Sequence, residues 1–471
     1  MQRKKQELDE FLRRKTEEAQ LAGVAVAIRG PEGFHFEGGY GYRDLARTMP
    51  PDEDTIFGIA SMGKSMAALA VAILAEEGRL SLDAPVADYV PEFRVPGFPQ
   101  DTVTVRHLAT HTAGIPPMEP LEWSIAANTP GREDEESRML RESAPNAMRE
   151  LGQLLDYIAH CPYSSFGGPG EYMSYSNEGY AVLCAVVDAA AGMSLEEFLD
   201  VRVFGPVGMT RTTLDVDGSR ARQIASDGNI TALFERAEDG SLIGDEQWSV
   251  LPPFRASACV KSTAHDMARY YQCLSDGGRI DGRQVLPQGA VEQMIGAGFP
   301  EQEKAVYCLG LNKRTEHGHV FCEHSGGLHG VSSEGAFLKG EQYSFVVLCN
   351  EGDCDVKGLL WALYNYILEL PLGQEHHWLH PVGRDFSEPE LLVGSYVGHE
   401  GIPVTVRVYL ENGALMAEKG GETFRMLYCG ETWFILFDEE GKRKERLRFF
   451  FRDGKAWGVQ VYTRIFQRAE V

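Results

Sequence analysis

The spacing of apolar residues predicts sheet strands at both ends of a long helical region. Apolar residues at helical spacing between positions 8 and 12 predict an amphipathic N-terminal helix. Two runs separated by a Pro-Glu-Gly turn, residues 23–30 and 34–42, are expected to pair as strands. A mainly helical region follows from 61 to about 275, and its alanine-rich segment 65–77 predicts a buried helix.

More strand-like segments come after the helical region. They are residues 306–315, 319–323 and 335–350, and an apolar stretch at 356–368 predicts a helix after them. Because strands occur on both sides of the helices, we expect one sheet assembled from distant segments. Residues 117–160 are less regular and locally acidic, so we expect a surface insertion there.

The last part of the chain has a different pattern. Residues 371–389 have the composition of a linker. From 390 to 471, short aromatic and β-branched runs alternate with turn signals such as Asn412-Gly413. About eight short strands fit this stretch, which predicts a small antiparallel β-barrel. We therefore predict two domains, residues 1–370 and 390–471.

The composition is that of a large globular protein with an acidic surface. The chain has 471 residues, of which 43% are hydrophobic, and its formal net charge is −24. This length exceeds what one compact core accommodates, which supports two domains. The acidic excess argues against nucleic acid and anionic membranes as partners. We expect no cofactor.

Cysteine usage and the N-terminus bear on the cellular compartment. The nine cysteines are scattered, odd in number and without a Cys-x-x-Cys pair. Free buried thiols in a reducing cytoplasm are therefore expected, and a zinc site built from them is not. The N-terminus has no apolar run of signal-peptide length, and no stretch of roughly 18 apolar residues occurs elsewhere. We expect a cytoplasmic protein without a transmembrane segment.

Three short motifs carry candidate chemistry. In Ser61-Met-Gly-Lys64, a serine and a lysine three residues apart lie one helical turn apart, so an amine reaches a hydroxyl. An activated serine nucleophile needs that arrangement. Tyr175-Ser-Asn177 adds a second proton carrier and an amide. His324-Ser-Gly-Gly327 heads a glycine-rich strand, where backbone can approach a substrate closely.

The order and spacing of these motifs resemble those of the serine β-lactamase and penicillin-binding-protein superfamily. The tyrosine that heads the second motif resembles the class C branch, which also holds esterases and D-aminopeptidases. His324 stands where many relatives have the lysine of Lys-Thr-Gly. The resemblance covers about residues 15–370, and residues 107–114 look like one of its framework segments. The C-terminal part resembles the lipocalin-like module of archaeal D-amino-acid peptidases.

The resemblance implies an α/β (α+β) fold, with an antiparallel sheet flanked by helices, an all-helical lobe and the active site between them. It implies that Ser61 attacks a carbonyl while Lys64 and Tyr175 move its proton. Asn177 would bond Lys64 and the substrate carbonyl. The backbone N–H groups of Ser61 and Gly327 would hold the oxyanion. The other implied site residues are catalytic His324 and the substrate-binding Ser325 and Gly326.

We therefore predict a serine hydrolase that works through an acyl-enzyme on a small molecule or short peptide. Amide bonds, in particular those of D-amino acids, are favoured because of the resemblance of the C-terminal module. Two alternatives stay open: a carboxylesterase of small acyl groups with at most weak β-lactamase activity, and a non-catalytic scaffold with the same fold. The barrel has three open roles, which are covering the cleft, binding a partner and building a homo-oligomer.

Two groups of histidines raise the alternative of a metal site. His317 and His319 alternate on an expected strand, and His376, His377 and His380 lie in the linker. No carboxylate with clear ligand spacing joins either group. A polar strand face and a polar linker are the simpler interpretations, and we predict no metal site.

Overall fold

The computed structural model describes residues 2–128, 135–143, 148–237, 239–296, 298–302 and 305–469. Before the barrel, its strands are β1 (Gly23–Arg29), β2 (His35–Gly41), β3 (Phe57–Gly58), β4 (Thr213–Leu214), β5 (Leu233–Arg236), β6 (Leu242–Asp245), β7 (Val260–Ser262), β8 (Arg279–Ile280), β9 (Arg283–Gln284), β10 (Gly298–Gln302), β11 (Ala305–Cys308), β12 (Asn312–Glu316), β13 (His319–Leu328), β14 (Val331–Leu338) and β15 (Ser344–Cys349).

The main sheet has eight antiparallel strands from both ends of this region. Their order is β10-β11-β12-β13-β14-β15-β1-β2, so the N-terminal hairpin pairs with the last strand, β15. The predicted sheet of distant segments is confirmed. The expected strand at 306–315 is in fact two strands, because Gly310 adopts a positive φ and turns the chain between β11 and β12. The expected strand at 335–350 is likewise divided between β14 and β15.

Helices cover both faces of the sheet and form a lobe beside it. They are α1 (Gln2–Glu18), α2 (Lys64–Glu76), α3 (Val105–Ala109), α4 (Pro120–Asn128), α5 (Glu135–Ser143), α6 (Leu151–Ala159), α7 (Asn177–Ala191), α8 (Leu195–Leu199), α9 (Gly205–Val207), α10 (Ser219–Ile224), α11 (Arg255–Ala258), α12 (Ala264–Ser275), α13 (Gln288–Gly296) and α14 (Lys357–Ile367). Helices α1 and α14 pack on one face of the sheet, while α12 and α2 belong to the larger core on the other.

Helix α2 is buried on all sides for most of its length. Its residues from Lys64 to Leu74 are buried, which agrees with the apolar, alanine-rich sequence. Such a helix is held by packing rather than by one amphipathic face. The element that follows Ser61 is therefore fixed within the core, as a catalytic scaffold requires.

The C-terminal strands close into a barrel. They are β16 (Gly394–Gly398), β17 (Val404–Glu411), β18 (Ala414–Lys419), β19 (Glu422–Tyr428), β20 (Trp433–Phe437), β21 (Arg443–Arg452), β22 (Lys455–Val461) and β23 (Arg464–Arg468). Pairing of β16 with β23 completes the closed, eight-stranded antiparallel barrel. Val406 and Val408 point into its apolar core, as the period-two pattern predicts. The predicted barrel is confirmed.

The region 117–160 is not the surface insertion that the sequence suggests. Residues 129–134 and 144–147 lie outside the described part, but α4 is mostly buried. Trp123 and Leu140 pack in one cluster with Ile402, which lies in the loop between β16 and β17. The barrel therefore packs against one side of this region, while residues such as Met139 remain exposed.

The structure also bears on the cysteines and on membrane-spanning helices. All nine cysteines are free, and seven of them are buried. None of the helices within the described residues has the length and apolarity needed to cross a bilayer.

Candidate active site

Ser61, Lys64 and Asn177 meet at the start of α2. Lys64 Nζ lies 2.8 Å from Ser61 Oγ and donates a hydrogen bond to Asn177 Oδ1, also at 2.8 Å. Burial, and after it the charge of Arg464, holds the pKa of the Lys64 amine well below its ordinary value. An uncharged amine beside a hydroxyl can take its proton as the oxygen attacks. The arrangement suits Ser61 as a nucleophile and Lys64 as its base.

A tight turn, rather than the helix itself, carries Ser61. Residues Ala60–Gly63 form a 3₁₀ turn, which leads directly into α2 at Lys64. The two side chains still meet, because residues three apart lie on the same side of a 3₁₀ turn. Gly63 permits the turn to pack against α11, since a Cβ there would lie 2.6 Å from Ala256 O.

Tyr175 lies in the extended segment that leads into α7. Ser176 caps that helix by accepting the Gly179 backbone N–H at 2.9 Å. Lys64 Nζ lies 4.7 Å from the centre of the Tyr175 ring. Burial raises the pKa of Tyr175 above its ordinary value, and a hydrogen bond with Ser61 and the charge of Arg464 offset this rise only in part. A neutral phenol next to the nucleophile can donate a proton to a leaving group.

His324, on β13, is held in its neutral form. Its Nδ1 lies 2.5 Å from Ser325 O, so this nitrogen carries the proton and donates it to the carbonyl. Nε2 then accepts from the Tyr307 hydroxyl at 3.2 Å. Burial is the main cause that lowers the pKa of His324 to about 3. His324 therefore supplies no positive charge at neutral pH.

A second buried histidine extends this row of hydrogen bonds. His111 Nδ1 accepts the Ser176 backbone N–H at 3.0 Å, so Nε2 carries the proton and donates to Tyr307 Oη at 3.0 Å. The His111 ring also lies 4.0 Å from that of Tyr175, centre to centre. His111 and Tyr307 were not among the predicted site residues. The framework segment 107–114 was the available signal for His111.

The strand segment after Glu323 borders the site along one edge. The ladder between β12 and β13 ends at Glu323, whereas the ladder between β13 and β14 continues to Leu328. Beyond Glu323, no strand among the described residues pairs with the second edge. Gly326 packs on the turn that carries Ser61, because a Cβ there would lie 3.1 Å from Ser61 N. The exposed residues of this segment are Ser325 and Gly327.

The C-terminal barrel reaches into the site. The Tyr175 backbone N–H donates to Thr463 O, between β22 and β23, at 2.8 Å. The guanidinium of Arg464 lies 4.5 Å from the centre of the Tyr175 ring. Glu400, from the loop between β16 and β17, pairs with Arg464 at 2.7 Å and accepts from Asn177 Nδ2 at 3.4 Å. Among the three open roles of the barrel, these contacts favour covering the cleft.

Away from the candidate site, one histidine of each group lies beside a carboxylate that the sequence did not indicate. Among the described residues, Glu316, His317 and His376 place ligand atoms within 4.8 Å of one another. Each of the less exposed members has a protein partner: Glu316 pairs with Arg314, and His376 Nε2 bonds to Asn365 Oδ1 at 2.7 Å. These contacts account for the cluster as a polar network that joins the linker to β12.

The fold described above is that of the β-lactamase family. The family model described as Beta-lactamase matches residues 8–361, and the chain belongs to that family. Penicillin-binding protein 4* of Bacillus subtilis (strain 168) is 28% identical over 211 residues, which cover 45% of this chain and 42% of that protein. Across the first curated relatives, the match covers 40–66% of their own length.

Solved structures share the architecture. The octameric penicillin-binding protein homologue from Pyrococcus abyssi has a TM-score of 0.67 and 21% identity, covering 98% of this chain and 99% of that one, so the match includes the barrel. The D-amino acid amidase from Ochrobactrum anthropi SV3 has a TM-score of 0.60 and 20% identity, covering 78% of this chain and 97% of that one. At this level of identity, these similarities establish the fold.

Proposed function

We propose that this protein hydrolyses its substrate through an acyl-enzyme on Ser61. The observation that carries the proposal is the buried Lys64 amine, 2.8 Å from Ser61 Oγ and with a lowered pKa. Ser61 Oγ attacks the carbonyl carbon while its proton passes to Lys64. The backbone N–H groups of Ser61 and Gly327 hold the oxyanion. Tyr175 delivers a proton to the leaving group, and water then releases the acyl group from Ser61 Oγ.

The substrate class that we favour is an amide or short peptide, in particular one with a D-amino acid. Similarity to a D-amino acid amidase supports this choice. The unpaired edge of β13 beyond Glu323 is a second support, because an extended peptide can add to an open strand edge. A small acyl ester is the alternative, since the same nucleophile and proton carriers act on either bond.

Three further properties belong to the proposal. We propose that the protein is cytoplasmic, because its cysteines are free. We also propose that it assembles into a homo-oligomer, as its octameric homologue does. Finally, residues 1–370 and 390–471 would be separate domains, with the site formed at their contact.

Side-by-side hydrolysis of chromogenic substrates tests the function. The panel is p-nitrophenyl butyrate and matched D- and L-aminoacyl p-nitroanilides, with Ser61→Ala as the inactive variant. Ser65→Ala is the matched control, because its hydroxyl lies one turn further on and donates to Met62 O. We expect turnover of the D-anilide that is lost in Ser61→Ala and kept in Ser65→Ala. Full activity in Ser61→Ala would overturn the proposal, and turnover of the ester alone would replace the amide by the ester.

A further inference from the structure

The barrel places a permanent positive charge beside the two proposed proton carriers. The Arg464 guanidinium and the Lys64 amine both lie over the Tyr175 ring, at 4.5 and 4.7 Å from its centre. Arginine keeps its proton at every pH at which enzymes work. Its side chain is 24% exposed, so solvent screens its charge only in part. A cation at this position acts on both Lys64 and Tyr175.

His324 does not provide an equivalent charge. Its Nδ1 proton is committed to Ser325 O and its Nε2 accepts from Tyr307, so both ring nitrogens are used by a neutral imidazole. In the described part of the chain, the charged or titratable groups around Lys64 and Tyr175 are His111, Glu178, Tyr180, Cys184, Tyr307, His324, Glu400 and Arg464. Of these groups, Arg464 is the permanent cation.

We infer that Arg464 is a positioning residue of the reaction, through which the barrel adds to the effect of burial in disfavouring a charged Lys64 and eases the release of the Tyr175 proton. The inference rests on the proposed function of Ser61. A nearby cation disfavours the protonated amine and favours the phenolate, and an anion does the reverse. The Glu400 carboxylate lies 2.7 Å from the Arg464 guanidinium and carries the opposite charge. The two side chains together therefore determine the net electrostatic effect on Lys64 and Tyr175.

Opposite effects of the two partners distinguish this role from a structural one. Removing the cation in Arg464→Met raises the pKa of both Lys64 and Tyr175, because Arg464 lowers both. Removing the anion in Glu400→Gln lowers both, because Glu400 raises both. Arg464→Lys keeps a cation, so we expect the pKa values of Lys64 and Tyr175 to return toward those of the wild type. Loss of packing alone would slow both variants without moving their pH profiles apart.

The experiment measures how fast a fluorophosphonate labels Ser61 as a function of pH. Ser61 Oγ forms a bond to phosphorus, the P–F bond breaks, fluoride leaves, and the serine proton passes through Lys64 to solvent. This readout needs no knowledge of the natural substrate. Arg452→Met is the matched control, since Arg452 also lies on the barrel and contacts the catalytic part, through Phe166 O at 3.2 Å, away from Ser61.

We expect the rising limb of the labelling profile to move up by about 0.5–1 pH unit in Arg464→Met and down in Glu400→Gln. A shift of one unit corresponds to about tenfold in rate on that limb. Arg452→Met should keep the wild-type profile. Coincident profiles, or shifts of Arg464→Met and Glu400→Gln in the same direction, would overturn the inference. If Arg464→Met does not fold, the direction of the Glu400→Gln shift decides. A wild type that is not labelled at Ser61 contradicts the proposed function instead.

Discussion

Gly326 packs so tightly on the turn that carries Ser61 that a single methyl group should disrupt the candidate site. A Cβ at this position would lie 2.3 Å from Ile59 O, 2.5 Å from Ser333 Oγ and 3.1 Å from Ser61 N, whereas ordinary contacts begin at 3.4 Å. Gly326→Ala therefore forces β13 and the turn apart by about 1 Å, a displacement that costs on the order of 100-fold in rate. Overpacking of this kind also costs about 1–3 kcal/mol in the free energy of unfolding.

The neighbouring glycine provides the control for this prediction. A Cβ at Gly327 meets no atom within 4 Å, and Gly327→Ala keeps the backbone N–H proposed to hold the oxyanion. The assay is the rate of labelling of Ser61 by a fluorophosphonate, together with the melting temperature. We expect Gly326→Ala to lose most of the rate and to melt earlier, and Gly327→Ala to stay near the wild type. Wild-type rate and melting temperature in Gly326→Ala would refute the reasoning.

Three further predictions concern buried polar side chains. Tyr307→Phe leaves the His111 donor and the His324 acceptor unpaired, so urea unfolding should show a loss of about 1–3 kcal/mol. NMR of ¹⁵N-labelled histidine should show His324 neutral without titration between about pH 5 and 8, because its pKa is about 3. Burial raises the pKa of Glu323, but the charges of Arg314 and Lys357 and the hydrogen bonds from Arg314 and Tyr364 together outweigh burial, and the pKa falls to about 2. Glu323 thus stabilises the fold above about pH 4.5, and this contribution is lost as the pH falls toward 2. Glu323→Gln should flatten the fall in melting temperature over that range, and an equally steep fall would contradict this.

The parts of the fold that follow from local patterns could be predicted from the sequence. The strand at 23–29 is a continuous apolar run, buried except at its last residue, whereas the barrel strands have one buried face that the alternation of residues reveals. Segment 306–315 was misread because apolar residues flank Gly310 on both sides, and only a positive φ at the glycine shows the turn. The burial of α4 in region 117–160 was missed because part of its packing comes from the barrel, and a local pattern does not contain such a contact.

The candidate site divides in the same way. The spacing of Ser61 and Lys64 implies that they are in contact, and the family resemblance implies that Tyr175 and Asn177 join them. The structure brings all four together. Arg464 has no such signal, because its role depends on a turn of the barrel that lies far along the chain from Tyr175. Long-range contacts of single side chains carry no periodicity that a sequence pattern can display.

Capture of the covalent intermediate tests acyl transfer to Ser61 most directly. The measurement is the intact mass of the protein during turnover of p-nitrophenyl butyrate or the D-aminoacyl p-nitroanilide, followed by peptide mapping of the adduct. We predict a mass increase equal to the acyl group, located on Ser61, and neither adduct nor turnover in Ser61→Ala. Continued turnover in Ser61→Ala, with no adduct on the wild-type protein, would contradict the acyl-enzyme mechanism.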